Sequence, residues 1–205
     1  MMAAMDGRPT GDDVGAVAVA VAGGGAGGAP AAVGARVRAL RLARGVSLSQ
    51  LAAAAGIGKA TLSGLEAGTR NARLETLYAV AAQLEVPLGA LLAGPGSDAA
   101  AAAPRVAGEA VTGTLLGSFA DPGTTTELYR LDVRPGAVQA SPAHPRGTQE
   151  HLVVFRGTLR VGPAGAEVEV PAGGFVALAT DVPHTYAAVG DEPVEAALVI
   201  RQPTG

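Results

Sequence analysis

The chain has no cysteine and no tryptophan, and aromatic residues occupy only 3% of its 205 positions. Without cysteine, neither a disulfide nor a cysteine-ligated zinc can staple the fold. With so few aromatics, the cores must be built from Ala, Val and Leu, and stacking on single-stranded bases is excluded as a main binding mode. Of the 15 basic residues only Lys59 is a lysine. That bias accompanies abundant Ala and Gly, as in GC-rich coding sequences, so arginine alone says little about function. Long apolar runs are missing too. The stretch Val14 to Ala22 falls far short of the roughly 20 residues that span a bilayer, and two aspartates precede it where a signal peptide carries basic residues. Residues 1–31, which include a glycine cluster, are expected to form a disordered leader on a cytoplasmic protein with no membrane partner.

Hydrophobic residues make up 48% of the chain, ample for folded cores, and the length allows one large or two small domains. Charge is unevenly placed. The total is −3, yet residues 33–93 hold Arg36, Arg38, Arg41, Arg44, Lys59, Arg70 and Arg73 against only Glu66, Glu75 and Glu85. A basic module joined to a different one would show this asymmetry. Composition breaks again at Gly94-Pro95-Gly96-Ser97-Asp98, followed by an alanine run and Pro104, so 94–105 reads as a linker. The expected units are 32–93 and 106–205, helical first and strand-rich second, with no internal repeat.

In the first unit Ser47 can cap a short helix in which Leu48, Leu51, Ala52 and Ala55 recur at helical spacing. Gly56 stands where that helix must stop in a left-handed turn, which a Cβ disfavours. Ile57 then turns inward, and Gly58 caps a second helix from Lys59 to about Glu66. Leu62 and Leu65 face the core there, while Lys59, Ala60, Thr61, Ser63 and Gly64 face outward. Small, polar exposed residues let a helix sink into a major groove, where hydroxyls and a lysine meet base edges or phosphates.

On these residues the segment resembles the lambda-repressor/Cro-like (XRE-type) helix-turn-helix family, whose five-helix domain would cover Ala32 to Ala93. Val37, Leu40 and Leu42 in an Arg-rich first helix, Glu66 to Asn71, Leu74 to Leu77 and Leu84 to Leu88 all fit the family's order. The resemblance implies that Gln50 touches a phosphate, that Lys59, Ala60, Thr61 and Ser63 face the duplex, and that Arg70 and Asn71 approach its backbone. Two positions depart from the pattern. Gly64 replaces a common basic or long polar residue, and Ala72 with Arg73 replaces a Pro-Ser pair, which shifts discrimination toward DNA shape.

From Arg105 onward the periodicity becomes strand-like. Segments 127–133, 152–156, 158–161, 167–170 and 196–200 alternate, with Pro or Gly between them, as in an antiparallel sandwich or barrel. Gly136, His144, Glu150 and Gly157, then Pro171-Ala-Gly173-Gly174-Phe175 and Pro183-His184, resemble the two motifs of the cupin superfamily, a jelly-roll β-barrel. The whole chain is thus similar to the XRE-cupin class of bacterial transcription regulators. That resemblance implies a homodimer on double-stranded DNA, reading two half-sites about one helical turn apart, with a barrel that binds a small-molecule effector.

The barrel chemistry departs from the pattern. Pro142 stands where a metal-binding cupin has its first histidine, and Ala188 where an asparagine is expected. His144, Glu150 and His184 remain, a sufficient facial set for one divalent ion such as Zn, Fe, Mn or Ni. The same residues also read as a hydrogen-bonded polar cluster in a barrel holding no metal. An extra residue between His144 and Glu150 loosens the register, and His151 competes with Glu150, although strand neighbours alternate faces. Phe175 and Tyr186 are expected in the core or pocket wall, where either can stack on a ligand. The competing functional class is a metal-dependent cupin isomerase or dioxygenase with an attached DNA-binding module. It needs a full ligand set and a nearby acid or base, and the missing histidine favours a regulator without enzymatic activity.

Overall fold

The computed structural model describes residues 29–92 and 103–204; the expected leader up to residue 28 and the expected linker from 94 to 102 lie outside the described residues. Five helices come first: α1 (Ala29–Ala43), α2 (Leu48–Ala54), α3 (Lys59–Glu66), α4 (Leu74–Gln83) and α5 (Leu88–Leu92). The first begins three residues ahead of the expected domain start. At the head of α2 the Ser47 hydroxyl accepts the Gln50 N–H, and the Gln50 side-chain oxygen accepts the Ser47 N–H at 2.9 Å. Two of the helix's unpaired donors are thereby satisfied, typically worth about 1 kcal/mol. Gly56 then turns the chain at φ +65° before α3. Leu51, Leu62, Leu65, Leu77 and Leu84 are buried in one core with Val37 of α1. Leu42, which the resemblance places in the first helix, lies on its outer side, 57% exposed. Helical rotation buries Arg41 instead, in a bidentate pair with Glu66 at 2.7 and 2.8 Å.

Ten antiparallel strands follow: β1 (Arg105–Ala107), β2 (Val111–Asp121), β3 (Thr124–Val133), β4 (Val138–Ser141), β5 (Gln149–Arg156), β6 (Thr158–Pro163), β7 (Val168–Pro171), β8 (Phe175–Ala179), β9 (His184–Ala188) and β10 (Val194–Pro203). They form a six-stranded sheet in the order β1-β2-β3-β10-β5-β8 and a four-stranded sheet in the order β4-β9-β6-β7. The expected barrel therefore takes the form of two sheets, without a hydrogen-bonded seam closing one onto the other among the described residues. Alternation sets the interior: β10 buries Val194, Ala196, Leu198 and Ile200, and β6 buries Leu159 and Val161.

The helical unit rests on the strand unit through α4 and α5. The Gly89 N–H donates to the Glu127 carboxylate of β3 at 2.6 Å, and the Gln139 amide of β4 donates to Glu75 of α4. A Cβ at position 89 would lie 2.4 Å from that carboxylate oxygen, so any larger residue would require the carboxylate or the helix to shift.

Candidate functional site

Two sites emerge, one exposed and one buried. On the exposed side, Lys59, Ala60 and Ser63 project from α3 into solvent, Thr61 is half-buried beside them, and Gln50, Arg70 and Asn71 are exposed around them. The Gln50 side-chain oxygen is engaged in the helix cap, which orients the side chain and leaves its amide N–H groups available to a phosphate. Gly64 explains its own departure from the family pattern. A Cβ there would stand 3.1 Å from Cδ of Arg70, and the Thr69 hydroxyl donates to the Gly64 carbonyl at 3.1 Å. The stem of Arg70 thus lies across α3 where a larger side chain would have projected, and a cation is carried to that face from the following loop.

Not every cation of this unit is available to a polyanion. Arg41 is held by Glu66 and by the Val46 carbonyl, and Arg36 donates to the Leu91 and Leu92 carbonyls, capping the end of α5. Both roles escaped the charge count from sequence, because a count does not say which cations are already paired.

The buried site brings together His144, Glu150 and His184, three of the residues expected to gather. His144 lies on the loop between β4 and β5, Glu150 on β5 of the larger sheet, and His184 on β9 of the smaller sheet. In that loop Gly147 turns the chain at φ +82°, and the His144 N–H donates to the Thr180 carbonyl at 2.9 Å. His144 Nε2 meets Glu150 Oε1 at 2.9 Å, and His184 Nε2 lies 3.7 Å from the same oxygen. One ligand atom from each residue falls within 4.8 Å of the others. Tyr186 of β9 donates its hydroxyl to the other Glu150 oxygen. Pro142, at the position of the missing histidine, is exposed and contributes nothing here.

Protonation follows from these contacts. Burial alone would push the Glu150 carboxyl up, but the hydrogen bond and charge of His144, then His184 and the Tyr186 hydroxyl, outweigh it and hold the group below its ordinary range. Desolvation lowers the His184 imidazole below its ordinary value, against the opposing pull of Glu150. Its Nδ1 stands 2.9 Å from the Val182 carbonyl, which can only accept, so Nδ1 carries the proton and Nε2 presents a bare lone pair. That Nε2 is buried without a hydrogen-bond partner. An orphaned imidazole nitrogen, oriented through its other nitrogen and set beside an ionised carboxylate, suits a divalent cation.

Two expectations about the strand unit fall differently. Tyr186 is buried at the cluster, but Phe175 is corrected: it is 61% exposed and stacks on His151, ring centroids 6.1 Å apart, on the outer face of the larger sheet. Along β8 the more exposed positions are 175, 177 and 179, so Val176 and Leu178 are the less exposed pair. His151 lies out there too, away from its neighbour Glu150.

One contributor to the buried site comes from a residue that sequence reasoning passed over. Tyr78 of α4 sets its ring 4.7 Å from that of His144. Its position in the helical unit gave no reason to connect it with the strand motifs. Burial, then the charges of Glu150 and Glu127, push its phenol well above the ordinary value, so it remains a hydroxyl donor.

A helix-turn-helix family model matches residues 37–91 and a cupin-domain model matches residues 129–201. The chain is 32% identical over 170 residues to the HTH-type transcriptional regulator SutR of Escherichia coli (strain K12), spanning 82% of this chain and 93% of that protein. It is 34% identical over 102 residues to the HTH-type transcriptional regulator DdrOP3 of Deinococcus deserti, spanning 48% of this chain and 79% of that protein. Among solved structures, an HTH_3 family transcriptional regulator from Vibrio cholerae superposes with a TM-score of 0.70 at 24% identity, over 85% of this chain and 97% of that one. That likeness is one of fold.

Proposed function

This chain belongs to the XRE-type helix-turn-helix transcriptional regulators that carry a C-terminal cupin domain, and it is a DNA-binding regulator; from that premise we propose a division of labour between its two parts. Residues 32–93 bind the duplex and residues 106–205, joined through 94–105, bind a small-molecule effector in a jelly-roll barrel. Lys59, Ala60, Thr61 and Ser63 face the major groove, and Gln50, Arg70 and Asn71 hold the phosphates. The protein acts in the cytoplasm, where its DNA is, and has no catalytic activity of its own. No helix among the described residues is long and apolar enough to cross a membrane.

One observation carries the sensor assignment: the bare, buried Nε2 of His184 beside the Glu150 carboxylate and His144. These three residues hold one divalent ion. When bound, the ion would supply a positive centre that attracts an oxygen, nitrogen or sulfur donor of the effector. Glu150 would offset one of the ion's two positive charges, the Val182 carbonyl keeps His184 in the tautomer that could ligate, and Tyr186 fixes the carboxylate. A homodimer is part of the proposal. All three phenylalanines, Phe119, Phe155 and Phe175, are more than half exposed, and Phe155 and Phe175 lie on the neighbouring strands β5 and β8, where exposed aromatic rings favour self-association.

Metal analysis of the purified full chain, paired with a mobility shift on duplex DNA from its own promoter region, tests the proposal. Stoichiometric divalent metal and a specific shift are expected. His184→Ala is expected to abolish metal uptake and the effector response while leaving DNA affinity intact. Metal-dependent turnover without any DNA shift would overturn the regulator in favour of an enzyme, and a metal-free wild type would overturn the ligand set.

A further inference from the structure

The chain's three tyrosines, Tyr78, Tyr129 and Tyr186, all line a single cavity. It lies where α4 and α5 meet the strands, with Leu74, Tyr78 and Leu88 on the helical side and Tyr129, Gln139 and Tyr186 on the strand side. No charged side chain lines it among the described residues. Two of the three hydroxyls are committed. Tyr129 donates to Glu127 at 2.8 Å and Tyr186 donates to Glu150. Tyr78 alone has no hydrogen-bond partner among the described residues, although its ring touches His144.

In this arrangement the cavity holds little more than a water molecule. Any larger occupant must move a wall, and the walls differ in strength. On one side the strands are locked into continuous ladders such as the ten-residue pairing of β3 with β10. On the other, α4 and α5 are tied across by the hydrogen bonds of Gly89 with Glu127 and of Glu75 with Gln139. The helical wall yields first. Its α4 follows α3 after a short loop that carries Arg70 and Asn71.

We propose that the effector cavity is shared between the two domains, closed on one side by the DNA-binding domain itself, and that the free hydroxyl of Tyr78 reads its occupant, a small neutral molecule with an apolar body and one hydroxyl or carbonyl group. The inference rests on the sensor reading above but names the wall, the reading residue and the ligand class. Occupancy and DNA binding are then coupled through displacement of α4 and α5, and thermodynamic linkage makes the coupling reciprocal.

Tyrosine emission tests this directly, because the chain has no tryptophan and every tyrosine lines the cavity. The full chain is titrated with 1-hexanol and, separately, with hexanoate. With any divalent metal removed by chelation, a saturable shift with hexanol is expected, with hexanoate roughly tenfold weaker or worse because no charged side chain lines the cavity to offset its desolvation. Tyr78→Phe, which keeps the ring, is expected to weaken hexanol roughly three- to tenfold by loss of one hydrogen bond. Hexanol is expected to change affinity for promoter DNA, measured by anisotropy, and DNA to change hexanol affinity by the same factor. Gly89→Ala, whose Cβ would clash with the Glu127 carboxylate and break its contact with α5, is expected to abolish that coupling in both directions while metal uptake persists.

Hexanol binding that is indifferent to Tyr78→Phe, or a coupling that survives Gly89→Ala undiminished, overturns the shared wall and leaves the metal assignment standing. Hexanol binding in a chain that takes up no metal supports the shared cavity while sinking the ligand set. Absence of any saturable shift overturns the shared cavity whatever the metal analysis returns.

Discussion

The face of α3 and the His144 cluster differ in almost every physical respect. Lys59, Ala60 and Ser63 stand in water on one two-turn helix, within five residues of each other, and nothing outside that helix and its neighbouring loop is needed to present them. His144, Glu150 and His184 are buried, spread over 40 residues, and meet only because a loop and two strands of different sheets converge. At the exposed site, a substitution is expected to change an encounter with a partner and leave folding alone. At the buried one, the groups hold each other's charge and hydrogen bonds, so chemistry and stability are inseparable.

The largest effect expected lies beneath the exposed face. Arg41→Ala leaves the half of a buried bidentate pair that Glu66 contributes without its partner, at a cost of about 3–5 kcal/mol, read from urea midpoints. If its effect appeared instead as lost DNA affinity at unchanged stability, the separation of structural from phosphate-binding cations would fail. Lys59→Ala and Thr61→Ala come next. Each is expected to weaken specific DNA binding by about 1–3 kcal/mol where the side chain meets a base, with thermal stability near that of wild type. Equal loss on unrelated DNA would show that only phosphates are touched. Arg70→Ala is milder, expected to reduce the slope of log affinity against log salt by about 1 and to weaken all sequences alike.

The smallest effect sharpens the buried half. Burial raises the Glu127 carboxyl above its ordinary value of 4.5, although Tyr129, the Gly89 N–H and His144 pull the other way. The native state therefore keeps this proton to higher pH than the unfolded chain. The group's contribution to stability is complete below about 4.5 and is lost as pH rises through the raised value. Glu127→Gln is expected to flatten that fall, measured as denaturant midpoint against pH from acid to neutral. An unchanged slope would mean that another group sets it.

Legibility in the sequence tracked these same differences. The capped α2, the Gly56 turn and α3 follow from residues a few places apart, and each was readable as a period or a capping signal. Strand positions were readable by alternation, but alternation alone does not say which side faces the core. Phe175 was assigned inward on residue type, and the structure turns it out, because Val176 and Leu178 take the less exposed positions on β8. Residue type misleads on α1 as well, where Leu42 is exposed and Arg41 beside it is seated on Glu66. The gap left by Gly64 made sense only once Arg70 was seen lying across it.

Local chemistry along the chain was enough to determine two stretches of opposite secondary structure, a short helix with small outward residues, and two histidines and a glutamate in cupin order. Helical and strand periods repeat within a few residues, and that is the range over which a one-dimensional pattern carries information. Only tertiary structure decided that a tyrosine of the first unit stands over a histidine of the second, and that a glycine amide reaches a carboxylate 38 residues away. Such pairings arise where two separately folded surfaces fit, and no periodicity within either one encodes them.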